Sequence, residues 1–574
     1  MPRQPANISK RPWLLSLIWP ARPEPAKSWK IARGRLAFAA FFACLCFGGI
    51  GAQALQLAVF SENAKSYQKP QSVAERGLIV DRRGRLLAST LPVMVLHADP
   101  KQLLNPRRVA NSLAPLISDK SADDIYKLLG KNTRYVELDR KITPRRHAEI
   151  LQLGLPGVFV SPSSTRLYPQ GQEAAHLLGA VDVDGKGIAG IEAGMNDALA
   201  RGETVQLSID LGLQAILRRE ISSQIERFEA IAGAGLILDM KNGEILAMAS
   251  LPDFDPNHLM RSTDKARFNQ AAKGVFEMGS IFKILNTAIA LETGAVQIKD
   301  RIDVAKPIRI SRFAIRDYHP FKRALNISEI LVHSSNIGSA HMADKIGPQT
   351  QRVFMDKLQL LQPSNLEIPE NARPLVPQNW GRIASLTISF GHGLSVSPVQ
   401  AAAAISAAAG DGFYIEPTLI KRSTDAPLTR SRIFSPETAR AVRSMMRLVV
   451  AHPSGTGNFA EAKGYLVGGK TGTAEKIKAK GYDRKANRVS FVGTFPAHDP
   501  RYLIFAMVDE PKGQKFSYGY ATAGWVTAPI VKKVVEQAAP LLGVHPIAEM
   551  SPEMRLNLLP EVIIDGEEAV YASF

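Results

Sequence analysis

From Leu36 to about Leu57 the chain reads LAFAAFFACLCFGGIGAQALQL, without a charged residue. Nothing else in the sequence restricts the fold so strongly. A helix of roughly 20 apolar residues, rising 1.5 Å each, crosses a hydrocarbon core of ~30 Å. Residues 1–35 hold Arg3, Lys10, Arg11, Arg22, Lys27, Lys30, Arg33 and Arg35 against one acid, Glu24. Such a basic tail is retained on the cytoplasmic side. The rival reading is a cleaved signal peptide, because Ala52-Gln53-Ala54 resembles a small-residue cleavage site. Against it, the basic segment is long and the apolar run exceeds a typical signal core. Either way, residues after about 60 are expected outside the cytoplasmic membrane.

The 574 residues leave room for two or three folded domains beyond that segment, at roughly 100–200 residues each. Lys and Arg total 71 against 53 Asp and Glu, a formal charge of +18. No basic cluster interleaves with aromatics, and no finger or helix-turn-helix spacing is present, which argues against nucleic acid. The charge suits an anionic membrane surface and an anionic polymer. Both cysteines, Cys44 and Cys46, lie inside the apolar run, so neither a disulfide framework nor a cysteine zinc site is expected. The 11 histidines are scattered with no HExxH pair, and no metal or cofactor is expected.

Arg76 to Ala88 reads as a short strand, a glycine turn and a second strand. Pro144 to Leu153 and Leu213 to Phe228 have helical apolar spacing. Near residue 230 a new unit begins. Gly235–Asp239 and Glu244–Ser250 flank Asn242-Gly243, a strong hairpin signal. A mostly helical stretch is expected from about 279 to 450, strands at 464–475, 487–497 and 501–509, and a last helix near Ala528. Strands at both ends of a helical middle predict one α+β domain whose first and last strands share a sheet. The last 29 residues read as peripheral.

Three short motifs carry chemistry. Ser280 and Lys283 open the apolar run Ile281–Leu291. Three residues apart on a helix, they share one face. A serine hydroxyl needs a base to become a nucleophile, and burial lowers a lysine's pKa enough to make it one. The helix start adds free N–H groups that favour an oxyanion. Ser-x-x-Lys alone is weak, and Ser66/Lys69 and Ser262/Lys265 have the same spacing. Neither of those pairs begins an apolar helix. Next comes Ser334-Ser335-Asn336. Ser334 can relay a proton, and Asn336 offers an acceptor and two donors; alone the triplet would read as a turn. Last is Lys470-Thr471-Gly472-Thr473 within an apolar strand. Gly472 permits close backbone approach, a peptide can pair along such an edge, and Lys470 with the threonine hydroxyls suits a carboxylate.

These motifs in this order are the set found in serine β-lactamases and penicillin-binding proteins. The chain resembles the class B penicillin-binding proteins from about residue 76 to 530. Further likeness lies in Arg76-Gly77 through Asp81-Arg82, Arg166-Leu167-Tyr168-Pro169, Gly190-Ile191-Glu192 and Gly391-His392-Gly393-Leu394. Within that class the septal, division-specific type is most similar. The resemblance implies a cytoplasmic basic tail (1–35), a transmembrane anchor (36–57), an elongated α+β pedestal (58–228), a serine transpeptidase domain with a central antiparallel sheet flanked by helices (229–545), and a C-terminal tail (546–574). It implies Ser280 as acylated nucleophile, Lys283 as base, Ser334 and Asn336 as second motif, and Lys470, Thr471, Gly472 and Thr473 along the substrate edge. The N–H groups of Ser280 and Thr473 would form the oxyanion hole. Implied partners are the stem pentapeptide of peptidoglycan, β-lactams, a lipid II-polymerising glycosyltransferase and other division proteins. Met278 and Ile281 stand where many relatives carry Pro and Thr. An elongation-specific transpeptidase, a hydrolase and a non-catalytic penicillin sensor are the competing readings.

Overall fold

The computed structural model describes residues 25–59, 75–117, 120–310, 313–423, 425, 427–478, 481–547, 558 and 564. Residues 1–24 of the tail, the polar segment 60–74 with the Ser66/Lys69 pair, and most of the stretch after 547 lie outside the described residues. The chain forms two units, divided at Val73.

The first unit is helix α1, Pro25–Val59. Its stretch Arg33–Gln53 is long and apolar enough to cross a membrane. The helix continues beyond the expected start because nothing between Ala26 and Leu36 breaks it.

The second unit begins with a five-stranded sheet. Strand β2 (Leu86–Ala98) pairs with β1 (Ile79–Val80), β3 (Val136–Ile142) and β4 (Val158–Leu167). The short strand β5 (Val205–Gln206) lies parallel to β1. A charged centre ties this region together. Glu192 is fully buried and accepts from Arg76 Nε at 2.7 Å and Arg166 Nε at 2.6 Å. At the passage to the next lobe, buried Asp81 accepts from the Arg83 and Arg85 backbone N–H groups. Asp210 accepts from the Arg83 and Arg85 side chains while capping helix α2, Leu211–Arg227.

The larger lobe is built on a second antiparallel sheet of five strands. They are β6 (Ala232–Asp239), β7 (Ile245–Leu251), β8 (Gly468–Lys478), β9 (Gly481–Phe495) and β10 (Tyr502–Asp509), in the order β8-β9-β10-β6-β7. The first and last strands of the domain do share one sheet. Asn242-Gly243 makes the β6–β7 turn, with Gly243 at φ +75°. Every residue of β10 is buried. Its alternate residues feed two cores: Ile504, Ala506 and Val508 meet α2 and the last helix, while Leu503, Phe505 and Met507 meet the helical middle. A sheet covered on both faces accounts for the uninterrupted apolar run.

The helical middle holds α3 (Phe282–Glu292), α4 (Ile327–Val332), α5 (Asn336–Ile346), α6 (Pro398–Ala409) and α7 (Pro436–Ala451); α8 (Ala528–Leu541) closes the domain. Residues 282–290 of α3 are all buried, as expected of a helix that is apolar around its circumference. Two details differ from the sequence reading. Short strand pairs interrupt the helical middle, such as Arg301–Asp303 with Ala324–Asn326 and Phe413–Ile415 with Arg430–Arg432; runs this short leave no periodic signal. The β8–β9 hairpin is also longer than expected, because its tip is polar. In the tail, Leu558 and Ile564 are buried, Leu558 against Leu466 and Ala497, so those two residues are not peripheral.

Replacing Glu192 by Ala leaves the buried Arg166 and the partly buried Arg76 without their carboxylate. The expected cost is about 3–5 kcal/mol, read as a lowered unfolding midpoint of the detergent-solubilised chain in denaturant. Replacement by Gln, which keeps the shape, should cost less.

Candidate active site

Three elements converge on one amine. Ser280 lies in the 3-10 turn Gly279–Ile281 that leads into α3, and Lys283 is the second residue of that helix. Ser334 and Asn336 come from the α4–α5 junction, and Lys470 from β8. The Lys283 Nζ lies 2.9 Å from Ser280 Oγ, 2.6 Å from Ser334 O, 3.1 Å from Ser334 Oγ and 2.7 Å from Asn336 Oδ1. Lys470 Nζ reaches the other side of Ser334 Oγ at 2.9 Å and also donates to Thr471 O. Ser262 and Lys265 are elsewhere, at the end of a 3-10 turn and in a short helix.

Close backbone approach makes this possible. Gly472 faces the nucleophile's turn, where a Cβ would meet Met278 O at 2.9 Å and Ser490 Oγ at 2.5 Å. Gly279, at φ +58°, packs on Thr473, whose carbonyl oxygen would be 2.5 Å from an added Cβ. The Thr473 backbone is thus next to the turn carrying Ser280. β8 is an edge strand; among the described residues it pairs with β9 and no other strand, an edge of the kind along which a peptide can add. Thr471 Oγ1 is steadied by Thr456 Oγ1 at 2.9 Å.

The penicillin binding protein transpeptidase domain model matches residues 233–536, and the penicillin-binding protein dimerisation domain model matches residues 71–204. The chain is a class B penicillin-binding protein. It is 36% identical, over 95% of its own length and 94% of the relative's, to a Caulobacter vibrioides protein named probable peptidoglycan D,D-transpeptidase FtsI. It is 30% identical to the peptidoglycan D,D-transpeptidase FtsI of Escherichia coli K12, covering 84% and 86%. Among solved structures, penicillin binding protein 3 of Mycobacterium tuberculosis in complex with aztreonam superposes with a TM-score of 0.66 at 25% identity, covering 83% of this chain and 97% of that one.

In this penicillin-binding protein the two lysines are the most buried cations of the cleft, 1% and 0% exposed. Burial, with the Lys470 charge beside it, holds the Lys283 amine well below the ordinary lysine range, while the Asp317 carboxylate pulls it back up. Burial alone brings Lys470 to about 7. Counting bonds shows what a neutral Lys283 does. It has two N–H groups and one lone pair. The carbonyl oxygens of Ser334 and Asn336 can only accept, and they are its nearest neighbours. They take both N–H groups, which leaves the lone pair for a hydroxyl proton. Asn336 is itself fixed, since its Nδ2 donates to Arg316 O. Ser334 is held at φ +59°, a costly conformation for a residue with a side chain.

The structure also supplies residues that the motifs did not reveal. Asp317 accepts from Ser335 Oγ and from the N–H groups of Asn336 and Ile337. Glu277 accepts from Gly393 N, and Gly391 O accepts from Gly279 N, so the Gly-His-Gly segment braces the nucleophile's turn. No spacing rule links Asp317 to Asn336, and only the fold joins them. A separate open cavity of about 600 Å³, lined by Arg301, Lys306, His341 and Lys345 among others, includes none of the motif residues.

A lysine whose pKa drops from 10.5 to about 7 on folding binds its proton more tightly in the unfolded chain. Burying it therefore costs stability, in full below about 7, and that cost is relieved as pH rises from about 7 toward 10.5. Lys470→Met should raise the melting temperature at pH near 7 and flatten its rise toward higher pH, measured by calorimetry across that range.

Proposed function

We propose that this chain is a serine peptidoglycan D,D-transpeptidase of the division septum. The observation that carries the chemistry is the Lys283 amine, 2.9 Å from the Ser280 hydroxyl with its two N–H groups directed to carbonyls. Lys283 takes the Ser280 proton as Oγ attacks the carbonyl between the two terminal D-alanines of a stem peptide. The N–H groups of Ser280 and Thr473 hold the oxyanion. The C–N bond breaks, and D-Ala leaves with a proton passed through Ser334, which lies between the two lysine amines. Lys470, Thr471 and Thr473 along β8 receive the substrate carboxylate, and Gly472 keeps the edge close to the nucleophile. An amine from a neighbouring stem then attacks the ester, forms the cross-link and frees Ser280. A β-lactam acylates the same serine, but its leaving nitrogen stays tethered, so the acyl-enzyme persists. The aztreonam complex of the related protein supports this reading.

We assign residues 36–57 to the anchor, with the tail 1–35 in the cytoplasm, 58–228 to the pedestal, 229–545 to the transpeptidase domain and 546–574 to a C-terminal tail. The basic residues before the apolar helix support that orientation. The FtsI names of two relatives fit septal work; a lipid II-polymerising glycosyltransferase and other division proteins are the partners that the resemblance of the sequence implies.

A fluorescent penicillin should label the full chain at Ser280, located by peptide mapping, and Ser280→Ala should abolish both label and cross-linking. Lys283→Arg keeps a charge but cannot give up its proton; acylation should fall by about 10²–10⁴-fold. Label on another residue, or full activity in Ser280→Ala, would refute the assignment. A tagged chain should gather at midcell; a side-wall pattern would favour elongation instead.

A further inference from the structure

Nothing in the acyl-transfer motifs accounts for Asp317. Asp317 is buried, 8% exposed, two residues beyond the end of the short strand Phe313–Ile315 and well before the Ser334 loop in sequence. It accepts from Ser335 Oγ at 2.7 Å, Asn336 N at 2.5 Å and Ile337 N at 2.9 Å. Ser335 in turn caps α5 through Gly338 N at 2.9 Å. The free N–H groups that begin a helix are therefore met by Asp317 and the serine it holds. The preceding residue, Arg316, accepts from the Asn336 amide. Residues 316 and 317 thus grip Asn336 by both backbone and side chain, directly after Ser334 in its left-handed conformation. Such a conformation persists only where the surroundings over-determine it.

The geometry points to Asp317 as a positioning residue for acylation: its buried carboxylate holds the Ser334-Ser335-Asn336 loop in the conformation that aims two carbonyl oxygens at Lys283. This rests on the acyl-transfer reading above. The hydrogen bonds of Asp317 go to Ser335, Asn336 and Ile337, so it acts through the loop. Its charge bears on Lys283 as well. Among the described residues, the charged groups acting on Lys283 are Lys470 from β8, which favours the neutral amine, and Asp317, which favours the protonated one.

The test compares Asp317→Ala, Asp317→Asn and Ser335→Ala in the full detergent-solubilised chain, following acylation by a fluorescent penicillin across pH, with circular dichroism to check folding. Asp317→Ala should slow acylation by about 10²-fold, the scale of a misplaced catalytic group. Asp317→Asn retains an oxygen for the backbone N–H groups and an amide for Ser335, so it should recover most of that rate. Its acid limb should move to lower pH, because the one group that favours protonated Lys283 has lost its charge. Ser335→Ala, missing one of the grips, should fall between wild type and Asp317→Ala. A folded Asp317→Ala acylating at the wild-type rate overturns the inference. Should that variant not fold, an unshifted acid limb in Asp317→Asn together with a wild-type rate in Ser335→Ala overturns it. Label persisting in Ser280→Ala would instead remove the active-site reading itself.

Discussion

A lysine amine inside a protein is costly unless its hydrogen bonds are met or its proton is given up. Lys283 does both. Helix α3 is buried through its first nine residues and draws the side chain out of water. Two carbonyls and two hydroxyl contacts surround Nζ. The same burial that lowers the amine's basicity aligns its lone pair with a serine one turn away. The cleft's other features can be understood as supports for that arrangement.

The supports come from distant parts of the chain. The start of α3 fits between β8 and the Gly391 segment because Gly279, Gly391 and Gly472 carry no side chain; an added Cβ on Gly391 would sit 2.0 Å from Gly279 O. The α4–α5 junction keeps a strained Ser334 in place beside two amines. β8, paired on one side with β9, remains the edge strand while β9 and β10 are sandwiched between helices. A rigid, doubly covered sheet thus presents one open strand. The buried Glu192 and Asp81 centres, by contrast, lie in the lobe before α2 and at its junction; they bear on how that part folds, not on the reaction.

Much of this was legible in the sequence because it is local. The apolar run at 36–57, the Asn242-Gly243 hairpin, the apolar helix behind Ser280 and the glycine within β8 each follow from patterns of a few residues. The short strand pairs of the helical middle were not, since three residues leave no period. Nor was the extent of the β8–β9 hairpin, whose outer half is polar and exposed to no patterning force.

The sequence by itself determined the anchor, the α+β layout and the identity of the three chemical motifs, because hydrophobic periodicity and turn chemistry act over short spans. It could not rank Ser280/Lys283 above other Ser-x-x-Lys pairs without the apolar helix that follows. Tertiary structure alone decided which groups face Lys283, that Asp317 grips the loop after Ser334, and that Ser334 lies between two amines. Those are contacts between residues 19 to 136 positions apart, and separation along the chain carries no information about distance until the sheet and helices have packed.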